Sequence, residues 1–305
     1  MLPTTLGFNF RSKFLLSLLG LAILAYISTC FYLYAHQRQL ILRPTSQLST
    51  FPDDSRFNIP YQSIKVPVAG QYLHGWWIPA PLEHEKLNPL PGEPVRIVKA
   101  PKTVLYLYGA GGNKGYYNCV TRVEGLRNLG FSVMVVDYRG FGESKGSSPN
   151  EKQMYADSEA AWDYLIKRNI LPQDILIYGE SLGGAVAINL AVNHPEANRL
   201  IVQSSFTSMA EVVKHPDWLW LFPIDMMLTE KFDSISKIRS LKMPVLFIHG
   251  TGDSVVPSYM SERLYKAAPG YKQLLLVPGA EHYRIYQPGE KSYLRAIEKF
   301  IVDPP

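Results

Sequence analysis

The sequence has few cysteines, few charged residues, and no internal repeat or low-complexity tract. Its 305 residues include two cysteines, Cys30 and Cys119, which lie in regions of different character, so we expect no structural disulfide. Charged residues make up 19% of the chain, and the basic ones are dispersed although the formal net charge is +5. No nucleic-acid-binding motif accompanies them, and we therefore expect no nucleic-acid partner. Hydrophobic residues, at 47%, suffice for a sizeable core.

One stretch lacks charge altogether. Phe14–Tyr34 reads FLLSLLGLAILAYISTCFYLY, and about 20 apolar residues cross a bilayer as a helix. We predict a short cytoplasmic stub and one membrane anchor within residues 1–36, followed by a folded domain over residues 37–305. Two basic residues flank each side of the stretch, so charge barely selects an orientation. The usual outcome for a single signal anchor places the domain on the extracytoplasmic side.

Two other interpretations of this stretch compete with the anchor. A cleaved signal peptide has an apolar region of about 7–15 residues and a small-residue cleavage site, whereas this run is longer and no A-x-A follows it. Ile27-Ser-Thr-Cys30 resembles a lipoprotein cleavage site, although Thr29 before the cysteine fits poorly.

Beyond the anchor, short apolar runs alternate with segments of helical length. The predicted strands are Ile64–Val68, Tyr72–Ile78, Thr103–Tyr108, Phe131–Asp137, a run from Ile175, Leu200–Gln203, Val245–His249 and Gln273–Val277. The predicted helices are Tyr116–Leu129, Asn150–Arg168, a run after Gly184, Tyr259–Ala268 and Glu290–Ile301. Residues 36–60 are predicted to be an irregular connector, and residues 79–102 a surface loop. Alternation of this kind requires crossover connections, which predicts a mostly parallel sheet covered on both faces.

The central motif is Gly179-Glu-Ser181-Leu-Gly183, placed between a predicted strand and a predicted helix. A G-x-S-x-G sequence in that context is a nucleophile elbow, in which the serine hydroxyl is exposed on a sharp turn. A glycine-punctuated loop with a serine by chance is the alternative.

A serine hydroxyl needs a base within hydrogen-bond reach, itself oriented by a third group. Asp253 and His282 each follow a late predicted strand, at the sheet edge where ligands bind in open α/β folds. We predict His282 as the base and Asp253 as the orienting acid. The competing candidates lie in less suitable settings: His249 within its strand, His194 at a helix end, His215, Asp225 and Asp233 in an irregular insertion, and Glu281.

The backbone N–H groups that would bind an oxyanion are predicted from two loops. Leu182 follows the serine directly, and Ala110 lies in the glycine-rich loop after the third strand, with Gly111 as the alternate donor. Residues 206–241 interrupt the strand–helix rhythm and are predicted to form a small cap-like insertion. We take Gly111, Phe206 and Trp218 as candidate substrate contacts.

These motifs together resemble the α/β-hydrolase superfamily, specifically its membrane-anchored group related to bud-emergence suppressor proteins and serine-aminopeptidase-like hydrolases. The resemblance spans about residues 37–301 and is carried by QRQLILRP, DYRGFGES, GESLGG, SSFTS, HGTGD and GAEH. It implies an eight-stranded, mostly parallel sheet with helices on both faces and a small or absent cap. The chain departs from the family at Tyr108-Gly109-Ala110, where the family usually has His-Gly, so the hydrogen bonds of that histidine are missing.

The sequence therefore favours a serine hydrolase that cleaves an ester, thioester or amide, with a small-molecule or lipid acyl substrate and neither metal nor cofactor. The alternative is a non-catalytic, membrane-tethered binding protein on the same fold. No motif specifies an oligomeric state.

Overall fold

The computed structural model describes residues 10–82, 103–215, 217–286 and 291–302. The strands are β1 Gln62–Val68, β2 Gln71–Ile78, β3 Thr103–Leu107, β4 Ser132–Val136, β5 Ile175–Glu180, β6 Arg199–Gln203, β7 Val245–Gly250 and β8 Lys272–Val277. The helices are α1 Phe10–Leu42, α2 Tyr117–Asn128, α3 Glu151–Lys167, α4 Leu182–Asn193, α5 Met209–Lys214, α6 Ile224–Met227, α7 Ser234–Lys237, α8 Tyr259–Ala267 and α9 Lys291–Val302. Short 3₁₀ turns lie at Pro172–Asp174, Asp217–Leu221 and Ile238–Ser240.

The eight strands form one sheet in the order β1-β2-β4-β3-β5-β6-β7-β8. β2 runs antiparallel to β1 and β4, and the other pairs are parallel. Every residue of β3, β5, β6 and β7 is buried, although successive side chains point to opposite faces. Both faces of the central sheet are therefore covered, as the alternation of strands and helices predicts.

The connection between β1 and β2 is a two-residue turn. Ala69 and Gly70 have φ angles of 46° and 75°, and Val68 pairs with Gln71 across the turn. Positive φ at both central residues is the geometry that matches the twist of a hairpin. The first two predicted strands therefore pair as a hairpin, with β2 beginning at Gln71.

The N-terminal helix is longer than predicted. Residues 36–42 were predicted to be irregular, but they continue α1. Leu40–Leu42 extends the apolar helical run, and the first proline that follows the run, Pro44, comes only after the helix has ended. Gln37 and Leu42 are buried against the rest of the chain. The boundary predicted between residues 36 and 37 thus falls inside one continuous helix. Residues 43–61 are irregular, as predicted.

No residue in the apolar part of α1 is buried. Its most apolar 18-residue window has a mean hydropathy of 2.2, and none of that window is buried. A core helix of a soluble protein would be mostly buried, so this helix fits a membrane anchor or a signal sequence. The surface loop predicted over residues 79–102 lies mostly outside the described residues, which stop at Leu82 and resume at Thr103.

A buried lysine joins the loops that follow β3 and β4. Lys114 is fully buried, and its Nζ donates to Asp137 Oδ2 at 2.5 Å and to Glu143 Oε2 at 2.6 Å. Its backbone N–H donates to Asp137 Oδ1 at 2.9 Å, and its ammonium lies 5.1 Å from the ring centre of Trp76. Since Asp137 is also fully buried, each charge depends on the other for compensation.

We expect Lys114→Met to lower the free energy of unfolding by about 3–5 kcal/mol, because it leaves a buried carboxylate without its cation. Lys214→Met is the matched control, since its pair with Asp225 is exposed, and it should cost about 1 kcal/mol or less. Chemical unfolding of the full chain in detergent measures both. Equal losses in the two variants would contradict this account of Lys114.

Candidate active site

The turn between β5 and α4 holds Ser181 in a strained conformation. Ser181 has φ 53° and ψ −120°, a region that a residue with a side chain rarely adopts and that costs about 1–3 kcal/mol. The glycines permit it: a Cβ on Gly183 would lie 2.1 Å from the Leu107 carbonyl oxygen, and one on Gly179 would lie 2.4 Å from Gly183 O. The Ser181 N–H donates to Gln203 O at 2.8 Å, which ties the elbow to β6.

The structure brings Ser181, His282 and Asp253 into one chain of hydrogen bonds. His282 Nε2 lies 3.1 Å from Ser181 Oγ, and His282 Nδ1 lies 2.6 Å from Asp253 Oδ2. Asp253 and His282 are 7% and 4% exposed, so water does not compete strongly for these contacts. A serine, a histidine and an aspartate in this order can transfer a proton from the hydroxyl to the imidazole.

The competing acids have other roles. Asp233 accepts from the Ser236 N–H at the start of α7, and Asp225 pairs with Lys214. Glu281 is exposed and lies 4.0 Å from Arg284.

Asp253 receives four hydrogen bonds. Oδ1 accepts from the N–H groups of Val255 and Val256 at 2.9 and 2.7 Å, and Oδ2 accepts from His282 and His249. Burial alone would raise the pKa of Asp253, but the hydrogen bonds from His249 and His282 outweigh burial and hold the pKa below its usual range. The carboxylate therefore stays ionised where it must orient an imidazole.

His249 is a contributor that the sequence analysis missed. It is fully buried, and its Nε2 lies 3.1 Å from Asp253 Oδ2 and 2.8 Å from the Val256 carbonyl oxygen. A carbonyl only accepts, so Nε2 carries the hydrogen, and Nδ1 lies 2.6 Å from Ser261 Oγ. The sequence held one signal for this contact: His249 lies at the end of its predicted strand, four residues before Asp253.

Of the two oxyanion donors predicted in the glycine-rich loop after β3, one is already hydrogen-bonded to another part of the chain. The Gly111 N–H donates to the Leu42 carbonyl at 2.9 Å, so it is engaged with the end of α1 and is excluded as the alternate oxyanion donor. Ala110 is half-buried, and it lines a surface pocket together with Ser181. Leu182 is the first residue of α4, where the backbone N–H groups have no acceptor within the helix.

Side chains from Tyr108 and Asn113 hold the glycine-rich loop after β3 in place. Tyr108 is buried and its hydroxyl donates to Asp137 Oδ1 at 3.1 Å. Burial and the Asp137 carboxylate raise the pKa of Tyr108 well above its usual value, so the phenol keeps its proton. Asn113 Nδ2 donates to the Gln47 carbonyl at 2.8 Å, which adds a link to the segment after α1.

A small open pocket of about 70 Å³ lies at this site. Ser181 and His282 line it together with Ala110, Gly111 and the aromatic side chains of Tyr106, Tyr108, Tyr116 and Tyr283. Phe206 and Trp218, the other predicted substrate contacts, do not line it. Phe206 is turned into the core at 2% exposure, and Trp218 packs near Phe222 at a ring separation of 6.3 Å.

Beneath the pocket lies a buried polar network that the sequence analysis did not predict. Glu180 precedes the serine, and its carboxylate accepts from Arg122 Nη2 at 2.9 Å and from the Tyr106 hydroxyl at 2.5 Å. Gln203 Oε1 accepts from Arg122 Nη1 at 3.2 Å and from the Tyr293 hydroxyl at 2.7 Å. Arg122 thereby neutralises a carboxylate that would otherwise lie uncompensated next to the elbow.

In the described residues, no group of three histidine, cysteine, aspartate or glutamate side chains is arranged to hold a metal ion.

Comparison with known proteins assigns the chain to a family. A family profile described as serine aminopeptidase, S33, matches residues 99–235. Protein bem46 of Schizosaccharomyces pombe is 30% identical over 237 residues, which cover 74% of this chain and 73% of that protein. The chain belongs to the α/β-hydrolase family.

Other α/β-hydrolase relatives match a shorter stretch. An uncharacterized protein of Mycobacterium tuberculosis is 41% identical over 180 residues, 58% of this chain and 62% of that protein. Lysophosphatidylserine lipase ABHD12 of Danio rerio is 35% identical over 189 residues, 56% of this chain and 48% of the lipase. The chain thus spans less than two thirds of the length of either relative.

Solved structures confirm the α/β-hydrolase fold. The esterase Pf2001 of Pyrococcus furiosus superposes with a TM-score of 0.64 over 84% of this chain and 97% of that chain. The two sequences are 20% identical, so this likeness concerns the fold alone.

The low pKa of Asp253 predicts a pH-dependent stability. The pKa of Asp253 is lower in the folded chain than in the unfolded chain, where it is about 3.9. The carboxylate therefore stabilises the fold at pH values above about 3.9, and this contribution is lost as the pH falls towards the folded pKa. We expect Asp253→Asn to lower the unfolding free energy by about 2–3 kcal/mol at pH 7. The difference in unfolding free energy between Asp253→Asn and the unsubstituted protein should shrink by about 1.4 kcal/mol per pH unit below pH 4.

Unfolding of both proteins in detergent at pH 7, 4 and 3 measures this convergence. Asp225→Asn, at an exposed carboxylate, is the control and should stay within about 1 kcal/mol of the unsubstituted protein. A deficit for Asp253→Asn that is constant with pH would contradict the assignment.

Proposed function

We propose that this chain is a serine hydrolase that cleaves a carboxylic ester, with thioesters and amides as the related chemistry. Ser181 is the nucleophile, His282 the general base and Asp253 the group that orients it. The observation that supports the proposal most directly is the hydrogen-bond chain of 3.1 Å and 2.6 Å that joins these three side chains at the elbow.

Acylation begins when Ser181 Oγ attacks the carbonyl carbon and its proton passes to His282 Nε2. The imidazolium that forms is stabilised by the ionised Asp253, whose second partner, His249, keeps Oδ2 in position. The carbonyl oxygen becomes an oxyanion and accepts hydrogen bonds from the N–H groups of Leu182 and Ala110. The positive end of α4 favours the same charge.

The tetrahedral intermediate collapses as His282 returns its proton to the leaving alcohol, which leaves an acyl group on Ser181. Water then takes the place of the alcohol, and His282 removes its proton as it attacks the acyl carbon. The second tetrahedral intermediate releases the carboxylic acid and restores the serine hydroxyl. These steps need no metal or cofactor.

For the substrate we propose an ester of an apolar acyl chain, as in a lipid or an acylated molecule. Aromatic side chains line the pocket beside Ser181, and α1 brings the domain to a membrane surface. A relative named as a lysophosphatidylserine lipase acts on a substrate of this class. We propose α1 as a single-pass anchor, with the domain on the extracytoplasmic side.

The full chain in detergent should react with a fluorophosphonate probe, because the probe phosphonylates an activated serine. Ser181→Ala should abolish the labelling, and His282→Ala should slow it by about 10³-fold or more. Ser240→Ala, at an exposed serine in the 206–241 insertion, is the matched control and should label normally. Equal labelling of folded Ser181→Ala would defeat the proposal and favour the non-catalytic binding protein.

A series of p-nitrophenyl esters tests the substrate class. We expect kcat/KM to rise from the acetyl to the octanoyl ester by about threefold or more per buried methylene, since each contributes about 0.8 kcal/mol. Matched thioesters and anilides of the preferred chain length rank the bond types. A preference for the acetyl ester or for the anilide would contradict the lipid assignment and point to a small soluble ester or a peptide.

A further inference from the structure

A cluster of exposed apolar side chains lies in the insertion between β6 and β7. Trp218, Trp220, Leu221 and Met226 are exposed by 61%, 71%, 53% and 88%. We refer to these four residues as the 218–226 patch. Two exposed tryptophans next to an exposed leucine and methionine are costly in water, and such patches mark contacts with a partner or a membrane.

The patch is attached to the exposed helix α1. The Tyr26 hydroxyl donates to the Leu221 carbonyl at 2.9 Å, and the rings of Tyr26 and Phe222 are stacked with centres 5.5 Å apart. Further along α1, Gln37 Nε2 donates to the Met227 carbonyl at 3.2 Å, and Gln37 Oε1 accepts from the Thr229 N–H at 2.8 Å. The insertion therefore runs beside α1 from Gln37 to Tyr26, about 16 Å at 1.5 Å per residue.

These contacts set the depth of the patch relative to the apolar stretch. Tyr26 lies within the uncharged run Phe14–Tyr34, eight positions before its end, which is about 12 Å along the helix. A run of this length matches the hydrocarbon thickness of a bilayer, about 30 Å. When α1 crosses a membrane, a segment bound to Tyr26 is carried below the surface of the leaflet that faces the domain.

The backbone of the segment suits that environment, where unpaired polar groups are costly. The Phe222 N–H donates to Leu219 O at 3.1 Å, and the Met226 N–H donates to Pro223 O at 3.0 Å. The Leu221 carbonyl is satisfied by Tyr26. Asp225, the charged residue beside Met226, is paired with Lys214 at 2.5 Å.

The geometry points to a second membrane contact: the 218–226 patch inserts into the leaflet on the domain's side, beside α1. The four side chains of the patch are largely apolar, and burying them among acyl chains removes that apolar surface from water. The occupant of this surface is a lipid bilayer. With both α1 and the 218–226 patch in the bilayer, the domain is held in one orientation relative to the membrane. A single helix would let the domain rotate about the helix axis. The inference concerns seating on the membrane and stands apart from the proposed chemistry.

The tryptophans supply the probe. The chain has five, at positions 76, 77, 162, 218 and 220, and none lies in α1. Full-length protein is reconstituted in phosphatidylcholine vesicles that contain 6,7-dibromo-phosphatidylcholine, whose bromine atoms quench tryptophan fluorescence at short range. All samples carry Ser181→Ala, so that any lipid hydrolysis by the chain is removed and the test is independent of the proposed function.

We expect the tryptophan fluorescence that bromolipid quenches to fall at least twofold in the double variant Trp218→Phe/Trp220→Phe, because these two side chains lie against the lipid. Phenylalanine keeps the patch apolar, so folding should be unaffected. Trp77→Phe is the matched control in β2 and should leave the quenched part unchanged, while Trp76 and Trp162 are buried at 1% and 2% exposure.

Aqueous iodide, added to the same vesicles, gives the opposing measurement. Iodide quenching that disappears in the double variant would place the two tryptophans in water and overturn the inference. Protection from both iodide and bromolipid would also overturn it, because the patch would then be covered by protein, as in a second copy of the chain.

Discussion

The close approach of α4 to the end of β3 is the constraint on which the site depends. Gly183 has no room for a Cβ because the carbonyl oxygens of Leu107 and Tyr108 would lie 2.1 and 2.4 Å from it. This contact places the first turn of α4 against the start of the glycine-rich loop, where a Cβ on Gly109 would lie 2.9 Å from Ser181 Cβ. The strained φ of Ser181 persists because strand, helix and loop together leave no alternative.

The carboxylates around the elbow are buried and paired. Asp253 receives four donors, and Glu180 is neutralised by Arg122. Lys114 joins the loops after β3 and β4. A buried carboxylate costs free energy unless it is paired, so each of these partners restricts the side chain it serves to one geometry.

The N-terminal segment also supports the site. The end of α1 accepts a hydrogen bond from the loop that carries Ala110, through the Leu42 carbonyl, and Asn113 reaches back to Gln47. Elsewhere on α1, Tyr26 and Gln37 hold the insertion between β6 and β7. One helix therefore contacts both the glycine-rich loop after β3 and the apolar patch, so α1 links these two parts of the domain.

The sequence alone was sufficient for the strands and for helices α2, α3, α4, α8 and α9, because these depend on local hydrophobic pattern. The motifs that follow strand ends also pointed to Ser181, Asp253 and His282, which lie within hydrogen-bond distance of one another in the order Ser181–His282–Asp253. It was insufficient where partners distant in the chain decide the outcome. The Gly111 N–H is engaged by Leu42, Phe206 faces the core, and His249 bonds Asp253 although it lies within a strand. The length of α1 beyond residue 36 was also missed, since the contacts of its last turns come from distant parts of the chain: Gln37 bonds the insertion and Leu42 bonds the loop after β3. The hydrophobic pattern of the sequence predicts which elements form. Burial, hydrogen-bond pairing and the depth of the 218–226 patch depend on how those elements pack together.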